Sequence, residues 1–240
     1  IFTGYKKVKT TQTKLHLLRN TIHFGGQTGW LYGVAFLPLA DVFAIEFTAP
    51  IWTALLAIIF LKEKLNRYRA LSIVLGFTGI IIILRPGFQI IQPAAFIVLF
   101  ASFCFASTYV FTRYMSATES PLTIIFYMNL VQLPLGFIAS LYNWALPSLE
   151  SWPWLALLGL TGIGSHFCFA NAFRYGDAIV VTPIDFIRLP LIALIGWSIY
   201  NESWDLVIFV GGTVIFSGNL INLLAEQKFA KKSSETNTRA

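Results

Sequence analysis

The chain has few of the charged residues that soluble proteins place on their surfaces. Charged residues make up 12% of its 240 residues, whereas hydrophobic residues make up 56%. Soluble globular domains average about 25% charged residues. This composition excludes a protein whose main solvent is water, and the mean hydropathy of +0.70 gives the same result.

The chain also has only two cysteines, Cys104 and Cys168, and both lie within apolar stretches. This scarcity excludes a disulfide framework, and no metal-ligand spacing is visible, so we expect no metal site and no cofactor. The net charge of +6 could favour nucleic acid, but the basic residues lie in short breaks between apolar stretches. Charges placed in this way are typical of membrane orientation, and we expect no nucleic-acid partner.

What the sequence does have is a series of apolar segments of roughly twenty residues, the length that a helix needs to cross the hydrocarbon core. We label these segments a to h; they cover residues 21–39, 42–61, 69–84, 93–112, 121–141, 152–173, 178–200 and 205–225. Their continuous apolarity favours helices over barrel strands, which alternate. The sequence therefore predicts an all-α integral membrane protein, a polytopic helical bundle with about eight transmembrane helices. Its principal partner is then the lipid bilayer.

The basic residues predict the orientation when the breaks are assigned alternately to the two sides. Of the 17 Lys and Arg residues, Arg85 falls alone on one side, Arg188 lies within segment g, and all others share the opposite side. By the positive-inside rule, both ends of the chain are cytoplasmic and the protein lies in the inner or plasma membrane.

Segments a to c resemble segments f to h in their residue order. Glu46-Phe47 corresponds to Asp185-Phe186, and Pro50 corresponds to Pro190. The two copies would cross the membrane in opposite directions, which is typical of the inverted repeats of secondary transporters. Chance similarity between apolar segments is the alternative.

The second copy is preceded by two segments that the first copy lacks, so we expect this chain to be a truncated piece of a ten-helix protein. The predicted organisation has four parts: residues 1–20 as a cytoplasmic basic loop after a missing helix, 21–85 as a partial first repeat of three helices, 93–225 as a second repeat of five helices, and 226–240 as a polar, disordered cytoplasmic tail.

The stretch from Leu39 to Arg85 carries a recognisable pattern. Pro50 lies mid-helix, Leu61-Lys62-Glu63-Lys64-Leu65 closes the segment, and Gly76-Phe77-Thr78-Gly79 follows. This order resembles the EamA repeat of the drug/metabolite transporter superfamily. The later segments are also similar to bacterial carriers that include S-adenosylmethionine uptake proteins, a resemblance that assigns no substrate. It implies a secondary, non-ATP transporter for a small organic metabolite or drug-like solute.

Ionisable side chains inside hydrocarbon are costly and are therefore candidates for a functional site. Asp185 and Arg188 are three residues apart in segment g, on one helical face, and could pair or hold a charged group of a solute. Glu46 corresponds to Asp185 in the first copy, and could instead reach the polar boundary. The two prolines, Pro50 and Pro190, are candidates for kinks that gate the pathway.

Neutral polar residues complete the predicted cavity. His23 and His166 occupy similar places in the two copies and could couple transport to protons, although a neutral, hydrogen-bonded histidine is the alternative. Gln27 and Asn171 could also line the cavity. Gly25, Gly29 and Gly33 are spaced by four residues and predict a face where a second helix packs closely. Assembly as a homodimer is a further hypothesis.

Two other functions are alternatives to transport. An intramembrane enzyme could use Ser165 and His166, but adjacent helical residues point about 100° apart and cannot form the required hydrogen bond. A membrane scaffold or receptor would need a sizeable soluble segment, and the chain has only short breaks between its apolar segments. We therefore predict a transporter and no enzyme.

Overall fold

The computed structural model describes residues 8–62, 66–84, 92–181, 188–201 and 206–237, and these residues contain no strand. The helices are α1 Thr13–Phe36, α2 Leu39–Glu46, α3 Ala49–Phe60, α4 Arg67–Leu84, α5 Pro93–Met115, α6 Pro121–Ser140, α7 Trp152–Tyr175, α8 Ala178–Val181, α9 Arg188–Tyr200 and α10 Leu206–Asn237. Short 3-10 turns at Leu141–Asn143 and Leu149–Ser151 separate α6 from α7. The predicted all-α architecture is confirmed.

Four described stretches are long and apolar enough to cross a membrane: Asp41–Phe60, Pro93–Met115, Pro121–Ser140 and Leu149–Tyr175. A fifth apolar stretch, Phe209–Ala225, is shorter. The outward sides of α6 and α7 expose many large apolar side chains, as expected for helices whose solvent is lipid. These features define a polytopic helical bundle.

Two helices extend beyond the boundaries that the sequence predicts. Residues 13–20, expected in a basic loop, form the first turns of α1. Their polar side chains include His16, Arg19 and Asn20, which are buried by neighbouring helices and so do not mark a loop. Residues 226–237, expected to be a disordered tail, continue α10. Glu, Gln, Lys and Ala favour helix, which accounts for the extension.

Segment b is interrupted where its proline predicted a kink. Helix α2 ends at Glu46, and Pro50 is the second residue of α3. Because proline has no N–H, it cannot bond the carbonyl of Glu46 four residues earlier. That carbonyl instead accepts a hydrogen bond from Ser102 Oγ of α5, at 3.2 Å. The described residues of segment g form α8 and α9, and Pro190 lies within α9.

Close helix contacts hold the bundle together. Helix α1 packs along α5, α4 packs along α10, and α2 contacts α9. A Cβ added at Gly26 would lie 2.8 Å from Cys104 Cβ, and one at Gly33 would lie 2.2 Å from Val98 Cγ2, whereas one at Gly25 would meet nothing within 4 Å. The small-residue face toward α5 therefore includes Gly26 rather than the predicted Gly25.

A buried apolar cluster joins the two halves of the chain. It contains Phe43 of α2, Phe47 directly after α2, Ile51 of α3, Ile192 of α9 and Ile215 of α10. Each fully buried side chain of this size contributes about 1.5–3 kcal/mol relative to its exposed state in water. This cluster places the start of α9 directly against α2.

Candidate functional site

An ion pair lies between α2 and α9, next to the apolar cluster that joins them. Arg188 Nη2 donates to Glu46 Oε1 at 2.8 Å, and Trp30 Nε1 of α1 donates to Glu46 Oε2 at 2.7 Å. Both carboxylate oxygens of Glu46 are thus engaged. The Glu46 side chain is 10% exposed, whereas the Arg188 side chain is 40% exposed. The Glu46 side chain therefore lies within the bundle, and its alternative place at the polar boundary stays a prediction.

Aromatic rings surround this ion pair. The Arg188 guanidinium carbon lies 5.5 Å from the ring centroids of both Phe43 and Phe47. Trp30 contacts Phe43 edge to face, with 5.4 Å between centroids. Cation–π contacts and the aromatic walls keep the guanidinium at this position while leaving part of it open. The arrangement presents a cation, an anion and flat apolar surfaces in one place.

The sequence placed Arg188 beside Asp185, and the structure pairs it with Glu46 of the first copy, 142 residues away. Asp185 lies outside the described residues, so its role stays a prediction. Pro50 lies in α3, four residues after Glu46, and Pro190 lies in α9, two residues after Arg188. Their gating role also stays a prediction.

The two predicted histidines come together. The ring centroids of His23 on α1 and His166 on α7 are 4.8 Å apart, in an edge-to-face arrangement. Gln132 Nε2 of α6 donates to His23 Nδ1 at 2.7 Å. His23 is buried and His166 is half-buried. The structure thus brings one imidazole from each copy into contact and adds Gln132, which the sequence reading missed.

The two predicted amide residues do not join either cluster. Gln27 is exposed on α1, and Asn171 Nδ2 donates to the carbonyl of Phe167 within its own helix, at 2.8 Å. Their part in lining a cavity stays a prediction.

A second set of ionic contacts lies at the end of the bundle where α7 meets α8. Arg113 Nη2 donates to Asp177 Oδ1 at 2.9 Å, and Arg69 Nη2 lies 3.6 Å from Asp177 Oδ2. Arg113 Nη1 also donates to the carbonyl of Phe173 at 2.9 Å. A cleft of about 510 Å³ borders Arg113 and Asp177. From the sequence, the basic residues here indicated only the orientation of the chain in the membrane.

Long apolar helices, with charged side chains enclosed between them, define this chain as a multi-pass integral membrane protein. The chain belongs to the EamA-like transporter family, which it matches over residues 1–85 and 92–224. Its function is that of a secondary transporter of a small metabolite, and its partners include the lipid bilayer and that solute.

Individual relatives agree with this assignment. The chain is 28% identical to an S-adenosylmethionine uptake transporter of Rickettsia bellii (strain RML369-C), over 97% of this chain and 80% of the relative. It is 29% identical to a riboflavin transporter of Vibrio cholerae serotype O1, over 88% of this chain and 71% of the relative. A crystal structure with 13% identity shares the fold, with a TM-score of 0.63 over 90% of this chain and 88% of that one.

Proposed function

We propose that the solute passes between the two repeats at the Glu46–Arg188 ion pair and binds there through groups of opposite charge. The observation that carries this proposal is the 2.8 Å contact between a carboxylate of the first repeat and a guanidinium of the second. A solute with its own cation and anion can replace each partner of such a pair. Replacement loosens the contact between α2 and α9, which lets one repeat move relative to the other.

The chemistry of this place favours a solute with both charges and a flat ring. S-adenosylmethionine carries a sulfonium and an ammonium cation, a carboxylate and a purine. Glu46 would attract the cations, Arg188 would bind the carboxylate, and the rings of Trp30, Phe43 and Phe47 would contact the purine. Four of the relatives are named S-adenosylmethionine uptake transporters, which supports this choice.

Riboflavin is the second candidate. Three relatives are named riboflavin transporters, and a planar flavin would also suit the aromatic walls. Riboflavin, however, carries no charge at neutral pH and would leave the Glu46–Arg188 pair intact. The two candidates therefore predict different responses to removal of these charges.

We also propose that protons are coupled to transport through His23 and His166. Two imidazoles with centroids 4.8 Å apart can share one proton, since a second positive charge so close is unfavourable. Gln132, at 2.7 Å from His23 Nδ1, orients one ring.

An enzyme is disfavoured by the contacts of its only sequence candidate. Ser165 Oγ donates to the carbonyl of Gly162 in its own helix, at 2.9 Å, while the His166 ring contacts His23. The serine hydroxyl is therefore turned to its own backbone and has no base to activate it among the contacts described.

We also propose that the protein lies in the inner or plasma membrane and that both ends of this chain are cytoplasmic. The distribution of the 17 basic residues supports this orientation. Assembly as a homodimer stays a prediction, and light scattering of the purified protein would test it.

Counterflow in proteoliposomes tests the solute. Vesicles loaded with unlabelled S-adenosylmethionine should accumulate the labelled compound, and unlabelled riboflavin should compete weakly. A Glu46→Gln variant should lose this accumulation, whereas Glu150→Gln, at an exposed position, should retain it. Accumulation of riboflavin with no accumulation of S-adenosylmethionine would reject the charged solute.

A further inference from the structure

Two clefts adjoin at the end of the bundle where α1 begins and α3 and α5 end. The first, the apolar groove, has a volume of about 510 Å³ and lies between α1, α3 and α5. Among its described lining residues, only Ser107 and Tyr114 carry a polar group. The second is the polar cleft, also of about 510 Å³, that borders Arg113. Leu61 and Tyr114 line both, so the groove and the cleft share a wall.

The apolar groove is open to the surroundings of the bundle and has the depth of one lipid leaflet. Along α5 its walls run from Phe103 to Tyr114, which is about 16 Å at a rise of about 1.5 Å per residue. One leaflet supplies half of a hydrocarbon core of about 30 Å, or about 15 Å. The wall residues Phe60, Phe103 and Tyr114 are exposed. A lipid acyl chain can therefore enter this groove from the side.

Lys62 gives the polar cleft a positive charge that the carboxylate of the cleft does not balance. That carboxylate belongs to Asp177, which contacts Arg113 Nη2 at 2.9 Å and Arg69 Nη2 at 3.6 Å. Lys62 lines the cleft, is exposed, and forms no hydrogen bond or ion pair with any residue that the structure describes. Two arginines thus offset one aspartate, and the lysine ammonium keeps its donors for an anion.

We propose that the groove and the cleft together bind one anionic phospholipid, with an acyl chain in the apolar groove and the phosphate against Lys62 and Arg113. In the orientation proposed above, this end of the bundle is cytoplasmic, and the cytoplasmic leaflet is the one that carries anionic lipids. A free phosphate would use the polar cleft alone, whereas a lipid uses both clefts and their shared wall. The lipid bridges α1, α3 and α5, and its binding does not depend on the solute assigned to the Glu46–Arg188 pair.

Native mass spectrometry of the full chain in nonionic detergent tests this site, because it counts bound lipids one at a time. Dioleoylphosphatidylglycerol should bind about tenfold more tightly than dioleoylphosphatidylcholine, because the choline group brings a further cation beside Lys62 and Arg113. Lys62→Gln should remove most of this preference, whereas Lys62→Arg should keep it. Lys14→Gln, which removes an exposed lysine of α1 at the same end of the bundle but outside both clefts, should also keep it.

The apolar half of the site has its own pair of variants. Ser107 lines the groove, so Ser107→Phe fills it and should weaken binding of both lipids. Ser140→Phe is the matched control, because the hydroxyls of Ser107 and Ser140 each donate to a carbonyl of their own helix and Ser140 is exposed on α6. This control should leave lipid binding unchanged.

The outcomes are distinct. Equal affinity for the two lipids in the unaltered chain would overturn the proposal, as would a preference that survives Lys62→Gln or lipid binding that survives Ser107→Phe. An equal loss in Lys62→Gln and Lys14→Gln would indicate diffuse attraction to the basic surface and would overturn the site. Glycerol 3-phosphate that binds as tightly as dioleoylphosphatidylglycerol would assign the polar cleft to a free phosphate and overturn the lipid as its occupant.

Discussion

Substitution of Gly26 by alanine should separate α1 from α5, whereas the same change at the neighbouring Gly25 should not. A Cβ at position 26 would lie 2.8 Å from Cys104 Cβ and 3.2 Å from the carbonyl oxygen of Ala101. Carbon atoms in contact prefer about 3.5–4 Å, so α1 must shift by roughly 1 Å. Both contacts are with backbone or near-backbone atoms, which cannot rotate away.

The expected magnitudes follow from two opposing effects. Overpacking of this kind costs about 1–3 kcal/mol. Replacement of a helical glycine by alanine stabilises by about 0.5–1 kcal/mol, because alanine has less freedom in the unfolded chain. Gly26→Ala should therefore lose between about 0 and 2.5 kcal/mol. Gly25→Ala has nothing within 4 Å and should gain about 0.5–1 kcal/mol.

Thermal unfolding in detergent, followed by tryptophan fluorescence, measures this difference between the two variants. Gly26→Ala should also reduce transport, since it lies three residues from His23 on the same face and displaces that ring from His166. A Gly25→Ala variant that is less stable than Gly26→Ala would refute the orientation of α1, because adjacent helical residues point about 100° apart.

Three other results are expected. A double-mutant cycle with Glu46→Gln and Arg188→Gln should give a coupling free energy of about 1–3 kcal/mol in thermal unfolding, because the pair is neither fully exposed nor fully buried. A coupling free energy under about 0.3 kcal/mol would contradict the ion pair. In a background without the two native cysteines, Arg67→Cys should react with an impermeant thiol reagent only from the cytoplasmic side, and labelling of intact cells from outside would reverse the topology. His23→Gln should remove the response of uptake to a proton gradient while counterflow continues, and an unchanged response would exclude this histidine from coupling.

Sequence patterns predicted most of the helices because their causes are local. Segments c to f match α4 to α7 within about three residues, since proline and glycine end the apolar stretches and a span has a fixed length. The start of α1 was not predicted, because its polar side chains are buried by other helices and a polar stretch resembles a loop. His16, Arg19, Asn20 and His23 make a polar stretch look like a loop, although their spacing of three and four residues is a helical face that could have been recognised.

The sequence predicted which residues belong to the candidate site better than it predicted which of them are in contact. Glu46, Arg188, His23 and His166 were named because ionisable residues are rare inside membranes. Local spacing favoured Asp185 as the partner of Arg188, but a contact between residues 142 positions apart depends on how α2 and α9 pack. Arg19 was counted only as an orienting charge, because burial by α5 cannot be inferred from one helix.

Transport by the double variant Glu46→Gln with Arg188→Gln tests the central claim most directly, namely that this pair binds the solute. Glutamine matches Glu46 in size and is shorter than Arg188, and the double change removes both charges together, so no buried ion is left without its partner from this pair. The account predicts that the variant unfolds within a few degrees of the unaltered protein, as measured by tryptophan fluorescence. It also predicts that counterflow of labelled S-adenosylmethionine is lost. A folded double variant that carries S-adenosylmethionine with the affinity of the unaltered protein would contradict the account.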